Sequence, residues 1–211
     1  MEEIRIAPGH TDGNLGYHEY FKYIIKLVED NDLEGTYVEC GVKSGRSMKL
    51  IAQIIMRNLS TRPKLWGYDS FEGFPEPSSQ DLPGKAKKGM HNFNMDKCYQ
   101  TIAATGYKDF KLVKGFFQDT LPDHYTGGPI AVLNLDSDLY QSYKDCFCLV
   151  EKVVPGGIIM FDEYKSPTQL KHYPGPALAV DEYFGTEIKN IKKVIMQDAP
   201  GWQKHYLIKN F

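Results

Sequence analysis

Ile130-Ala131-Val132-Leu133-Asn134-Leu135-Asp136-Ser137-Asp138-Leu139-Tyr140 and Pro155-Gly156-Gly157-Ile158-Ile159-Met160-Phe161-Asp162-Glu163-Tyr164 decide how this chain folds. Each is an apolar run that ends in acidic residues. A strand buried on both faces reads this way when it runs parallel to its neighbours and delivers side chains to a site beyond its carboxyl end. Lying side by side, the two strands bring Asp136, Asp162 and Glu163 to one point. Three carboxylates that close repel one another and raise each other's pKa unless a cation neutralises them. All-oxygen donors favour a hard divalent ion, Mg²⁺ first. Solvated loop acids beyond two strand ends are the other reading of the same residues.

Outward from this pair, strand and helix alternate. Tyr17 to Asn31 carries Tyr20, Phe21, Ile24, Leu27 and Val28 at helical spacing. Thr36 to Cys40 is a strand, Gly41 to Gly45 a turn, and Arg46 to Asn58 a helix with Met48, Ile51, Ala52 and Ile55 on one face. Further strands are expected at Lys64–Tyr68, Lys111–Lys114, Ile130–Asp136 and Gly157–Asp162. Helices are expected at Lys97–Thr105, Tyr140–Val153 and Ala177–Phe184, the last opened by Pro176. Lys193–Met196 and Lys204–Ile208 are expected to close the sheet as an antiparallel hairpin. The alternation implies one doubly wound α/β domain over residues 1–211 with a mainly parallel sheet. Residues 76–96, polar and carrying Lys85, Lys87 and Lys88, read as a long loop of the kind that forms a lid. Residues 1–16, with His10 and Asp12, are a cap over the site or a tail.

The 211 residues suit a single domain, and 42% hydrophobic content supplies a substantial core. A formal charge of −2 gives no electrostatic reason to expect nucleic acid. No apolar run is long enough to span a bilayer, and Met1-Glu2-Glu3-Ile4-Arg5 lacks the regions of a secretory signal. Cys40, Cys98, Cys146 and Cys148 show no metal-ligand spacing and read as reduced thiols of a cytoplasmic protein.

Val38-Glu39-Cys40-Gly41-Val42-Lys43-Ser44-Gly45-Arg46-Ser47 is the turn between the first inner strand and its helix. Its small residues let a ligand approach the backbone, and the helix start offers free N–H groups. It is neither GxGxxG nor a Walker loop, so a phosphate cradle is weakly supported. Glu39 instead suits a ligand with an ammonium or sulfonium group, such as S-adenosylmethionine; simple turn chemistry is the alternative. Asp69 ends the next strand, where an acid typically bonds ribose hydroxyls. Phe71 and Phe74 either flank an adenine ring or pack in the core.

Five motifs occur in order: Glu39-Cys40-Gly41-Val42; Asp69-Ser70-Phe71-Glu72-Gly73-Phe74-Pro75; Gly115-Phe116-Phe117-Gln118-Asp119-Thr120-Leu121-Pro122; Leu135 to Tyr140; and Tyr173-Pro174-Gly175-Pro176-Ala177 through Val180-Asp181-Glu182. The set resembles the macrocin O-methyltransferase (TylF-type) family from about Tyr17 to Phe184. The resemblance implies a Rossmann-like class I methyltransferase fold, here a mainly parallel seven-stranded sheet with a C-terminal antiparallel hairpin and helices on both faces. It also implies S-adenosylmethionine as donor and a Mg²⁺-dependent transfer to a hydroxyl, commonly of a sugar.

By the same resemblance, Asp136, Asp162 and Glu163 hold the metal and Asp138 is the general base. Glu163 stands where members of the family often have a second aspartate. Glu39, Gly41, Val42, Ser47, Asp69, Ser70, Gln118, Asp119 and Asp136 line the donor pocket. Catechol-type enzymes use a lysine at the position of Leu139, which is absent here. Tyr140, Tyr164 and His172 are expected to meet the acceptor, a small molecule or glycan. A catechol or phenol is the alternative acceptor. A nucleotide-binding scaffold without catalysis is the alternative of another class. A homodimer through the aromatic N-terminal helix is also open, as is packing of Tyr20 and Phe21 on the sheet.

Overall fold

The structure, a computed structural model, describes residues 1–6, 15–121, 125–196 and 199–210. Its sheet has eight strands: β1 (Glu3–Ile6), β2 (Thr36–Cys40), β3 (Leu65–Asp69), β4 (Phe110–Lys114), β5 (Ile130–Leu135), β6 (Val153–Phe161), β7 (Lys192–Met196) and β8 (Ala199–Ile208). The spatial order is β1-β7-β8-β6-β5-β2-β3-β4. β8 runs antiparallel to β6 and β7, and every other pairing is parallel. From β2 the chain moves outward to β3 and β4, then returns to β5 and β6 on the other side. The gap between β2 and β5 is thus the switch point at which an open α/β sheet holds its ligand.

Helices α1 (Leu15–Asp30), α2 (Arg46–Asn58) and α3 (Met95–Ala103) cover one face. Their rows of Ile24, Met48, Ile51, Ile55 and Ile102 form one core with Tyr37, Leu65 and Val132 of the sheet. On the other face lie α5 (Tyr140–Cys146) and α7 (Gly175–Phe184), where Tyr143, Phe147, Val180 and Phe184 pack against Val38, Leu133 and Phe161. The one-turn helices α4 (Phe117–Thr120) and α6 (Pro167–Leu170) lie in connections. β5 is buried at all six positions, as its unbroken apolar sequence requires.

Four expectations change. The sheet has eight strands, not seven, because residues 3–6 pair parallel with β7, Glu3 opposite Lys193. That segment is therefore an edge strand rather than a cap or tail, and Glu2 and Glu3 pair with Lys192 and Lys193. His10 and Asp12 lie outside the described residues. The helix expected to reach Val153 ends at Cys146 and continues as a 3₁₀ segment, Phe147–Lys152. Tyr20 and Phe21 are each 2% exposed inside this chain's own core, so they offer no surface to a second copy.

The 76–96 segment is anchored: the Ser78 N–H and hydroxyl donate to one oxygen of buried Asp81, and the Tyr140 N–H donates to the other at 2.9 Å. Its last residues, Met95 and Asp96, open α3. All four cysteines are free thiols, and only Cys148 is exposed. Among the described residues no helix is long and apolar enough to cross a membrane.

Candidate active site

The β2–β5–β6 ladder continues one residue beyond the strand ends. The Asp136 N–H donates to the Cys40 carbonyl and the Asp162 N–H to the Leu135 carbonyl, both at 2.9 Å. Gly41, Asp136 and Asp162 therefore stand side by side. Gly41 has φ +98°, and a Cβ there would lie 1.6 Å from the Asp136 carbonyl oxygen. Only glycine lets the turn pass this close to the strand end. Together these ends floor a cavity of about 1110 Å³.

Ligand oxygens of Asp136, Asp162 and Glu163 lie within 4.8 Å of one another. Glu163 is fully buried; its Oε2 accepts from the Tyr143 hydroxyl at 2.6 Å, while Oε1 has no partner. An unpartnered carboxylate oxygen in a buried site is costly unless a cation meets it. The Phe161–His205 register places Lys204 of β8 opposite Asp162. Its buried ammonium pairs with Asp162 Oδ1 and stands 4.5 Å from the Tyr17 ring centroid. This one charge leaves the cluster under-neutralised. Burial, followed by the charge of Asp162, holds Asp136 and Glu163 well above the usual carboxylate range. The same causes push Asp138 up to about 7. An all-oxygen set with an orphaned oxygen and excess negative charge fits a hard divalent cation. Asp136, Asp162 and Glu163 are the residues to hold it.

Asp138 lines the cavity two residues beyond Asp136, with φ +61°. A non-glycine residue in the left-handed region carries about 1–3 kcal/mol of strain, which the surrounding fold has to offset. The turn aims a carboxylate into the cavity where a continued strand would pass it by.

The structure brings most of the expected donor-pocket residues together. Gly41, Val42, Ser47, Asp69, Ser70, Gln118 and Asp136 all line the cavity. Asp69 accepts the Lys43 and Phe71 backbone N–H groups, one on each oxygen at 2.7 Å, which fixes its carboxylate at the rim. Ser70 donates to the Gly73 carbonyl at 2.7 Å and accepts the Glu72 N–H, so it shapes the turn. Phe71 belongs to the core, whereas Phe74 is a cavity wall. Glu39 is fully buried beneath the turn, where it accepts from Ser47 and Tyr37. Burial raises it to about 8. It reaches the cavity only through Ser47. Asp119 is exposed and lies outside the cavity wall.

The expected acceptor residues are displaced. Tyr164 is fully buried and its hydroxyl donates to Asp181 at 2.7 Å, so it serves the core. The Tyr140 hydroxyl donates to Glu182 at 2.6 Å, and exposed His172 is likewise outside the cavity wall. His91 and Tyr173 take that place. The His91 ring bridges Lys43 Nζ (2.7 Å) and the Tyr173 hydroxyl (3.1 Å), joining three loops at the mouth. Lys43 and His91 both have positive φ, +48° and +64°. Lys204, Tyr143 and His91 were missed from sequence. The lysine within the aromatic strand Gln203-Lys204-His205-Tyr206 was the available signal for the first.

Compared with known proteins, residues 17–196 match the family described as Macrocin-O-methyltransferase (TylF). An 8-demethyl-8-(2,3-dimethoxy-alpha-L-rhamnosyl)-tetracenomycin-C 4'-O-methyltransferase of Streptomyces olivaceus is 29% identical over 164 residues, covering 74% of this chain and 62% of that protein. The chain thus spans less than two thirds of that relative's length. Demethyldecarbamoylnovobiocin O-methyltransferase of Streptomyces niveus is 28% identical over 211 residues, covering 94% of this chain and 77% of the relative. The solved O-methyltransferase NovP superposes with a TM-score of 0.76 at 24% identity, covering 96% of this chain and 83% of its own.

Proposed function

The chain belongs to the macrocin O-methyltransferase (TylF) family, and from that premise we propose that it transfers a methyl group from S-adenosylmethionine to a hydroxyl of a sugar or glycoside. The reading includes a divalent cation, Mg²⁺ first, held by Asp136, Asp162 and Glu163. One observation carries it: three carboxylates, one with an orphaned oxygen, converge beside the Gly41 turn at the switch point of the sheet. Both curated relatives are by name O-methyltransferases, one of them acting on a rhamnosyl compound.

The reaction is an in-line displacement. The acceptor oxygen attacks the sulfonium methyl carbon, the C–S bond breaks, and its electron pair goes to sulfur to give S-adenosylhomocysteine. The acceptor hydroxyl loses its proton to Asp138, whose raised pKa suits a base working near neutrality. A bound divalent cation lowers the pKa of a chelated hydroxyl. Asp69 holds the donor's ribose at the rim, and Phe74 walls the pocket. Tyr143 and Lys204 fix the orientation of Glu163 and Asp162. Alignment of the two reactants contributes up to about 7–11 kcal/mol. His91, Gln169 and Tyr173 give the mouth a polar lining, which favours a sugar over a phenol.

Calorimetric titration of S-adenosylhomocysteine, with Mg²⁺ and then with EDTA, tests the donor site. Binding in both buffers, with turnover of sugar acceptors only in Mg²⁺, is the expected result. No binding in either buffer would favour the scaffold reading. Full turnover by Asp136→Ala in EDTA would sink the metal.

A further inference from the structure

The cavity is electrically divided. Its carboxylates stand beyond the strand ends, whereas Lys43, Arg46 and Lys49 line it along the start of α2. The spacing of three residues keeps these side chains on neighbouring rows of the helix. Among the described residues no carboxylate lies within ion-pair distance of any of the three. The overall charge of −2 means this basic strip is a local concentration and not a reflection of composition. The methyl donor brings a single carboxylate, which answers one cation and leaves two. The groove continues between α1 and α2 past Tyr17, Phe21 and Leu50, so it has room for more than the donor.

Resting on the methyl-transfer reading, we propose that the acceptor sugar is carried on a diphosphate, held by Lys43, Arg46 and Lys49 while the sugar hydroxyl lies at Asp138 and the carboxylate cluster. A diphosphate is a compact multiple anion, and lysine and arginine bind it through charge-assisted hydrogen bonds. The division of charge also sets direction: the anionic end of the acceptor is repelled from the carboxylates and drawn to α2. Two sources share this chemistry, a nucleoside diphosphate sugar and a polyprenyl diphosphate sugar. Arg57 lies about 16 Å further along the helix, beyond reach of the same diphosphate, and provides an internal control.

The test is calorimetric titration of inorganic pyrophosphate, thymidine diphosphate and farnesyl diphosphate into the full chain. EDTA keeps metal from carrying the phosphate, and saturating S-adenosylhomocysteine fills the donor site. Saturable binding is expected, about tenfold weaker in Arg46→Gln/Lys49→Gln and changed less than about twofold in Arg57→Gln, at equal melting temperature. Raising salt from about 50 to about 300 mM weakens it further in the wild type, a readout independent of any variant. Tighter binding of thymidine diphosphate than pyrophosphate assigns the nucleotide source; tighter binding of farnesyl diphosphate assigns the lipid source. Absence of saturable binding by all three, or equal binding by the wild type and the double variant, overturns the proposal. If S-adenosylhomocysteine binds and no phosphate does, methyl transfer stands and this proposal alone falls. If S-adenosylhomocysteine does not bind, both fall.

Discussion

Lys204 and Asp138 show how single side chains set the chemistry. Lys204 is the buried partner of Asp162, and Lys204→Met keeps most of the packing volume while leaving that carboxylate unpaired. Removing one partner of a buried ion pair destabilises by about 3–5 kcal/mol. Urea unfolding in EDTA should show a loss of that size, reduced when Mg²⁺ supplies the missing charge; equal stability of the two proteins in EDTA would refute the role. Asp138 works as a base only when deprotonated, so the rate should rise with pH and then level. With its pKa near 7 in the metal-free chain, a bound cation favours the charged form and moves that rise below about 7. Asp138→Asn should lose the rise and lower kcat by about 10²–10⁴-fold. A pH–rate profile with and without the substitution decides the point. At this scale the acids were readable in the sequence because they terminate apolar runs. Lys204 was not, since its meaning depends on which strand pairs with β6. Tyr164 and His172 were misplaced because spacing in a loop does not say where a side chain points.

Among the elements, β2 and α2 run as expected from sequence, because strong apolar patterning and the Gly41–Gly45 turn fix both ends. β1 escaped notice: four residues with charges at alternate positions are a weak signal, and the partner strand lies far away in sequence. The 3₁₀ continuation of α5 was equally silent, since its apolar residues suit either helix. The 76–96 segment looks like a loop in composition, yet Asp81 ties it to the start of α5. Asp81→Ala should leave the Tyr140 N–H and the Ser78 groups without their partner, costing about 1–3 kcal/mol. Limited trypsin digestion is then expected to cut faster at Lys85, Lys87 and Lys88; an unchanged digestion rate would contradict the anchoring role.

Over the whole molecule the buried acids make stability depend on pH. Asp136, Asp138, Glu163 and Glu39 all titrate above the usual carboxylate range, Asp138 at about 7 and Glu39 at about 8. Their folded pKa values exceed the unfolded ones, so the folded chain binds more protons. Their contribution is fully present below the unfolded range and is lost as pH rises through the folded values, between about 4 and about 8. Scanning calorimetry in EDTA should therefore give a melting temperature that falls from about pH 5 to about pH 8. Mg²⁺ should restore the part due to the cluster and leave the part due to Glu39. A melting temperature that rises with pH in EDTA would contradict this account.

The insertion of β8 between β6 and β7 also bears on how the protein is made. A ribosome delivers residues in order, and β8 follows all seven other strands. Until it emerges, β6 is an open apolar edge and β1 has no bonded neighbour in the sheet, since β7 is joined to β6 only through β8. A nascent chain can assemble β2 to β6 while still tethered, but it exposes that edge and lacks Lys204 beside Asp162. The carboxylates therefore meet before their lysine counter-charge arrives. Such an interval favours pairing with other chains over pairing within one. Translation speed and chaperone access during the synthesis of residues 162–204 are thus the stage at which yield of this protein is decided.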